Sequence, residues 1–512
     1  MGGEGMNLWS LLDGRDPGSV VAFDAGAGPV TTDELRQRAL GVAESLRRAG
    51  AGAGDCVAVW LPNWSDALAW QFGAAAVGAH VIGVNTRYNV DEVRHVLERA
   101  RPEVVALAHD FHGLDLLGRL RRAVGEGTPP EVAVVPGPGG RPPRDLSGYD
   151  LGAGAWLVAT GGEDAGTATG DELAVAFTTS GSTGKPKLAA HKASAVVEHA
   201  RYDAAGMDVG PGDVVVCALP LSGVFGFNTA TAAIAGGAAC LLEPVFDERA
   251  LLADMARLRA THLVGGDDLA GRLADAWQGE DLRAWRWLGI ADFVGRSREL
   301  AEWTLREFGT VTTGVYGSSE VFALTAFWPA DEPEARRWRG GGKPVSPRIE
   351  ARVVDGELQL RGPNVVDAYL GQDNPEAFTE DGWFRTGDLA EIHDDGAFTY
   401  LCRMGDVLRL RGFLVEPAEI EQRLAEHEAV ISAKVVGIRG DEGDEAIGFV
   451  VTEGETDGEA LREWCARTLA KFKVPAEIHV IGEMPTTSGT NGMKIKAATL
   501  REWALERRKS AR

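Results

Sequence analysis

Short apolar runs alternate with helix-length segments through the first third of the chain. Val57 to Leu61 reads as a strand, Trp64 to Val77 as an alanine-rich helix, and His80 to Val84 as a second strand. Asp91 to Ala100 carries helical periodicity, and Val104 to Ala108 and Val132 to Val135 are further strands. This β-α-β rhythm predicts a parallel sheet covered by helices on both faces. Pro136 to Gly170 is rich in Gly and Pro with weak periodicity, which predicts an irregular connection. Leu173 to Phe177 is a buried strand that feeds a glycine-rich turn. From Gly356 the pattern becomes hairpin-like, over Glu357 to Arg361, Asp381 to Leu389 and Ala397 to Cys402. After Gly405 it changes to a separate α+β module. That module has a helix from Pro417 to Glu428, strands near Ala433 to Gly437 and Ile447 to Thr452, and a helix from Gly458 to Leu469. The sequence shows no internal repeat and no low-complexity tract. Its basic end, Arg507 to Arg512, reads as a solvated helix end.

A chain of 512 residues exceeds one compact core, so two or three domains are expected. A net charge of −23 argues against nucleic acid or an anionic membrane as a general partner. A polyphosphate ligand would therefore need positive charge concentrated locally. The five cysteines, Cys56, Cys217, Cys240, Cys402 and Cys465, are scattered and form no CxxC pair. Neither a disulfide framework nor a zinc site is indicated, and a reducing cytoplasm fits. Met1 to Leu12 lacks the basic-then-apolar pattern of a signal peptide. Val214 to Leu242 contains no charge and is long enough to span a bilayer, but Pro220, Gly223, Asn228 and its threonines read as buried strand, loop, helix and strand.

The most informative segment runs Thr178-Thr179-Ser180-Gly181-Ser182-Thr183-Gly184-Lys185-Pro186-Lys187. It follows a predicted strand. Its glycines allow backbone N–H groups to converge on an anion, and hydroxyls add donors without bulk. Lys185 is the first lysine of the chain, followed by Lys187 and Lys192. Counted from Gly181, the spacing is not that of a Walker A loop.

Read with later segments, this loop resembles the T-S-G-S/T-T-G-x-P-K signature of the adenylate-forming superfamily, which includes acyl-CoA synthetases, carrier-loading adenylation domains and beetle luciferases. The resemblance runs from about Thr31 to Glu502. Tyr316-Gly317-Ser318-Ser319-Glu320 is similar to the family's Y-G-x-T-E motif. The resemblance implies an aromatic ring against adenine, a hydroxyl at the α-phosphate and acyl carboxylate, and Glu320 on Mg²⁺. A flat ring suits a purine, and a hard oxygen suits Mg²⁺. Trp383-Phe384-Arg385-Thr386-Gly387-Asp388 resembles W-F-x-T-G-D, with Asp388 implied to accept both ribose hydroxyls and Arg403 to contact the ribose. Asn491-Gly492-Met493-Lys494-Ile495-Lys496 resembles the terminal motif whose lysine bridges acid and α-phosphate. Lys494 aligns with that lysine, and Lys496 remains a second candidate. Taken singly, each of these residues is an ordinary turn residue or surface charge; the order of the motifs carries the resemblance.

The resemblance implies an α/β fold: a large N-terminal domain (1–403) of parallel and mixed sheets covered by helices with a β-barrel-like part, and a small mobile α+β domain (404–512) turning about a hinge near Gly405. Gly at the hinge departs from the family's usual Asp or Lys, but glycine accepts large φ/ψ changes. ATP and Mg²⁺ are the implied cofactors, with a small acid and CoA as the other reactants. Arg409 or Arg411, at strand spacing, is a candidate for the CoA phosphates. The acyl pocket is implied at Ser222, Gly223 and Phe225 and at Gly289, Ile290 and Ala291. Ser222 and Gly223 stand where many members carry an aromatic residue and a gating histidine, so a larger or differently shaped opening is expected. Ile290 in place of a second glycine is expected to narrow the wall. Asp267 and Asp268 are expected to cap the following helix rather than to bind a substrate amine. Open alternatives are loading of a carrier protein, adenylation of nitrite for diazotisation of an arylamine, and a non-catalytic nucleotide-binding relative.

Overall fold

The computed structural model describes residues 6–511 apart from 163–168, 180–186, 373, 405–407, 411–412, 416, 441–442, 455, 470, 472 and 490–491. Among the described residues two large sheets lie in the first four fifths of the chain. The smaller has eight strands in the order Ala368–Tyr369, Leu188–Lys192, Leu173–Thr178, His80–Gly83, Cys56–Trp60, Val104–His109, Glu131–Pro136 and Ala155–Leu157. Its strands pair in parallel except at the Leu173–Thr178/Leu188–Lys192 hairpin and the Ala368–Tyr369 edge. The edge strand Ala155–Leu157 corrects the expectation of an irregular connection after Pro136. Three residues with no clean alternation are too few to read as a strand before the neighbour Glu131–Pro136 offers its ladder.

The larger sheet has thirteen strands. Its parallel part places Val214–Cys217 between Ala239–Leu242 and His262–Gly266, followed by Trp287–Ala291 and Val311–Ser318. It continues as an antiparallel part that includes Phe322–Phe327, Phe384–Ile392 and Phe398–Arg403. From Val214–Cys217 the chain crosses to Ala239–Leu242 on one side, then returns past it to His262–Gly266 on the other. Right-handed crossovers then leave the helices Val224–Gly236 and Glu248–Leu258 on opposite faces. A crevice opens where the direction of winding reverses, beyond Cys217 and Gly266.

The helices Ser65–Ala76 and Val224–Gly236 are buried on nearly every side. Leu68 and Phe72 belong to the core of the larger sheet while Ala67 and Trp70 belong to that of the smaller, so the first helix is packed between the two layers. This is why Val214 to Leu242 lacks charge: it is core strand, helix and strand. No helix among the described residues is long and apolar enough to cross a membrane.

Beyond Arg403 a third sheet is built on the long hairpin Val430–Gly440/Gly443–Thr452, with the helices Pro417–Ala425 and Gly458–Ala466 against it. The strands are longer and the helices shorter than the apolar pattern predicts; the backbone ladder continues past the apolar run, through pairs such as Ile438 with Glu445. A two-stranded hairpin, Thr486–Gly489/Gly492–Ile495, reaches back to lie beside His262–Gly266 and the helix Asp267–Ala276. Ser432 Oγ also donates to Val294 O at 3.1 Å across this junction.

Candidate active site

The glycine-rich loop joins the strands Leu173–Thr178 and Leu188–Lys192. Ser180, Gly181, Ser182, Thr183, Gly184 and Lys185 lie outside the described residues, but the loop's neck does not. Thr179 N–H donates to Lys187 O at 2.8 Å and Lys187 N–H to Thr179 Oγ1 at 3.2 Å. Thr179 is buried, and these two bonds close the loop at its base.

Tyr316, Gly317 and Ser318 close the core strand Val311–Ser318, and the turn after it carries Ser319 and Glu320. Phe322 and Leu324 follow with φ of 63° and 61°, left-handed values that a bulky residue holds only when its surroundings demand it. The surroundings are polar and fully buried. His191, from the strand leaving the phosphate loop, donates from Nε2 to Ser319 O at 2.8 Å. His199 Nε2 and Asn228 Nδ2 both donate to Ala323 O, at 3.0 and 2.7 Å. The Phe322 ring lies between His191 and His199, at 4.2 and 5.1 Å. Burial pushes both imidazoles down to about 4, so each is neutral and carries its proton on the nitrogen that donates. Sequence reading missed His191; its only signal was a histidine after the apolar run Leu188 to Ala190 beside the loop.

Ser319 is buried, with Oγ 3.4 Å from Thr178 O. The Glu320 carboxylate accepts Ser318 Oγ–H at 3.1 Å. Burial raises the Glu320 pKa, and the hydrogen bonds from its own backbone and from Ser318, then the positive charges of Arg403 and Lys187, offset only part of that rise. Lys187 Nζ also lies 5.6 Å from the centre of the Tyr369 ring. Among the described residues no three His, Cys, Asp or Glu side chains form a self-sufficient metal site. Mg²⁺ commonly takes one or two carboxylates plus substrate phosphates, and the single hard ligand Glu320 beside the phosphate-loop neck fits that pattern.

Asp388 and Arg403 are a cross-strand pair. Arg403 Nη1 donates to Asp388 Oδ1 at 2.7 Å and to Thr386 O at 2.6 Å. The Tyr316 hydroxyl donates to Asp388 Oδ2 at 2.6 Å, while its ring meets Phe398 edge-on. Two residues far apart in sequence, Tyr316 and Arg403, therefore share the Asp388 carboxylate.

Ser222 and Gly223 sit at the crevice. Ser222 is buried, and its Cα lies 2.5 Å from where a Cβ on Gly83 would stand, so only glycine allows this approach. Gly223 precedes the helix that bears Phe225, which is buried. A cavity of about 120 Å³ opens here, lined among others by Asn63, Asn85, Ser222, Glu243 and Asp268. Of the residues expected in the acyl pocket Ser222 lines it, and Gly223, Phe225, Gly289, Ile290 and Ala291 do not. Ile290 is fully buried between Gly265 and Gly314 on the neighbouring strands, and the Trp287 indole fills the space over Gly289. Asp267 does not cap its helix: the cap position is Gly266, with no side-chain bond. Asp267, the first helical residue, instead accepts the N–H groups of Phe293, Val294 and Arg296 and so shapes the loop after Ala291. Burial, then the neighbouring Asp292, pushes its carboxyl well up.

Lys494 lies on the hairpin strand opposite Thr487, beside the crevice-forming elements, though its side chain is outside the described residues. Lys496 is exposed, with its N–H on Pro485 O at 2.7 Å. Gly405, Arg411 and the side chain of Arg409 are also outside the described residues.

Residues 14–370 match the family model for an AMP-binding enzyme, and residues 419–489 match that for the AMP-binding enzyme C-terminal domain. The chain is 30% identical to a methyl-dioxo-octahydro-indenyl-propanoyl:CoA ligase of Mycobacterium tuberculosis, over 92% of this chain and 93% of the relative. It is 28% identical to an indoleacetate–CoA ligase of Aromatoleum aromaticum, over 87% and 88%. The fold superposes on ATP-bound MatB from Rhodopseudomonas palustris with a TM-score of 0.83 at 25% identity, covering 97% of this chain and 98% of that one. The chain belongs to the AMP-binding enzyme family and, with it, to the adenylate-forming superfamily of acid–thiol ligases.

Proposed function

We propose that this enzyme activates a small carboxylic acid as its acyl-AMP and passes the acyl group to CoA. The observation that carries this reading is the Ser319–Glu320 turn. Ser319 Oγ lies 3.4 Å from Thr178 O, next to the Thr179–Lys187 neck, and Tyr316, three residues before Ser319, donates to the Asp388 carboxylate that Arg403 pairs.

A carboxylate oxygen of the acid attacks the α-phosphorus of ATP, and the bond to pyrophosphate breaks. The thiol sulfur then bonds to the acyl carbon, its proton departs, and AMP leaves. Thr179, Ser180, Gly181, Ser182, Thr183, Gly184 and Lys187 cradle the phosphates, where the local charge offsets the acidic remainder of the chain. Tyr316 and Gly317 flank the adenine side, and Asp388 and Arg403 hold the ribose. Glu320 would hold Mg²⁺, which supplies charge neutralisation for the departing phosphates. Ser319 orients the α-phosphate. Lys494 lies between two anions as they approach, which lowers their repulsion. Ser222, Gly223 and Phe225 shape the acid's side of the crevice. A turn of the small domain about Gly405 then exchanges Lys494 for the thiol path. Buried cysteines with no disulfide fit a cytoplasmic setting.

The test is mass spectrometry of products from enzyme, MgATP and an acid panel that includes nitrite with an arylamine, with and without CoA. AMP and a new acyl-CoA appearing together support the reading. AMP without thioester moves the acceptor to a carrier protein or an amine. No pyrophosphate release from any acid overturns adenylation.

A further inference from the structure

The crevice cavity holds one group that the proposed mechanism does not use. Glu243 follows the core strand Ala239–Leu242 and is 5% exposed. Its Oε1 is buried and has no hydrogen-bond partner among the described residues. A buried carboxylate with an unmet acceptor is costly, and such groups are normally paired. The flanking charges do not compensate it. Burial raises its pKa, and Asp254 and then Asp247 raise it further, to about 7. Asp268 adds a second carboxylate to the lining. Of the two cations in the wall, one is paired elsewhere and the other faces solvent. Arg272 pairs with Glu248 at 2.5 Å and lies 4.3 Å over the Phe246 ring. Arg87 is exposed to solvent.

We infer that this cavity binds a primary ammonium group of the substrate, with Glu243 as its principal acceptor and Asp268 contributing negative field. The volume of about 120 Å³ equals the liquid share of about four waters, enough for an ammonium on a short alkyl stem. Three N–H donors on a compact cation suit a site whose polar groups include the Glu243 and Asp268 carboxylates and the Ser222 side chain; the Asn63 amide is committed to Cys217 O, Leu219 O and Leu221 N–H. Because Ser222 also belongs to the acid pocket of the preceding reading, the inference rests on that reading for the statement that the ammonium is carried by the acid.

The test separates the two. Binding of n-propylammonium is measured by calorimetry at pH 8 on the whole enzyme and on Glu243→Gln, with 1-propanol as the uncharged probe and thermal melts to check folding. Saturable binding of propylammonium, weakened at least tenfold in Glu243→Gln and absent for propanol, supports the site. No saturable binding, binding unchanged in the variant, or propanol binding equally well overturns it. In parallel, ATP–pyrophosphate exchange compares 4-aminobutanoate with its isostere pentanoate. Preference for the amino acid that disappears in Glu243→Gln supports the assignment to the acid. Preference for pentanoate overturns that assignment. Exchange with no acid, while propylammonium still binds, overturns the adenylation reading alone.

Discussion

The Tyr316 hydroxyl donates a 2.6 Å hydrogen bond to Asp388, a residue 72 positions later in the chain. This bond, with the Arg403 pair, fixes the orientation of a buried carboxylate.

Replacement of Asp388 by Asn removes charge from both interactions. Hydrogen bonds to charged groups contribute roughly 1.5–3 kcal/mol each. The KM for ATP is expected to rise by about 10- to 100-fold in ATP–pyrophosphate exchange, with Tyr316→Phe giving a smaller change in the same direction. An unchanged KM in Asp388→Asn would remove this residue from the nucleotide site.

His191 acts through the turn it holds and is a positioning residue. His191→Phe keeps the ring but leaves Ser319 O without its donor, a loss of about 1–3 kcal/mol. A fall in kcat for adenylation with a shifted Mg²⁺ dependence is expected, partly restored in His191→Gln, whose amide also donates. If Phe and Gln variants lose stability equally and neither alters the Mg²⁺ dependence, the residue is only core.

Glu243 gives a pH signature. Its pKa is pushed up to about 7 by burial and by Asp254 and Asp247, against 4.5 in the unfolded chain. Between those values the folded state keeps a proton that the unfolded state releases, so this group lowers stability as pH rises through the window. Glu243→Gln removes that slope. Relative to the parent, the variant is expected to gain stability from pH 4.5 to 7 and then level off, by about 3 kcal/mol at most. Denaturant unfolding at pH 5 and pH 8 measures it; a pH-independent difference would place the Glu243 carboxyl in ordinary solvent.

Lys494→Ala is expected to slow acyl-AMP formation by about 10²- to 10³-fold, the cost of removing one preorganised electrostatic partner. Thioester formation from a supplied acyl-AMP should change little, and Lys496→Ala should affect neither. The reverse pattern would transfer the role to Lys496.

Much of the fold was legible because its signals are local. Period-two and period-3.6 patterns located the strands and helices around the phosphate loop, since each element buries one face whatever its neighbours do. Asp381 to Leu389 was read early by a few residues, because strand ends depend on the partner ladder, here from Phe384 to Ile392. A helix-start aspartate such as Asp267 looks like a cap in the sequence, while the N–H groups that its carboxylate accepts, those of Phe293, Val294 and Arg296, come from another strand's loop.

The sequence by itself determined the family and the identity of the candidate groups, because glycine-rich, hydroxyl-rich and acidic motifs keep their chemistry in one-dimensional order. Only the tertiary structure decided which groups meet: Tyr316 with Asp388, His191 with Ser319, and the unpartnered Glu243 with the crevice. It alone brought the hairpin of Lys494 beside His262–Gly266. Those pairings follow from crossover direction and sheet register, which act over tens to hundreds of residues and leave no periodic trace along the chain.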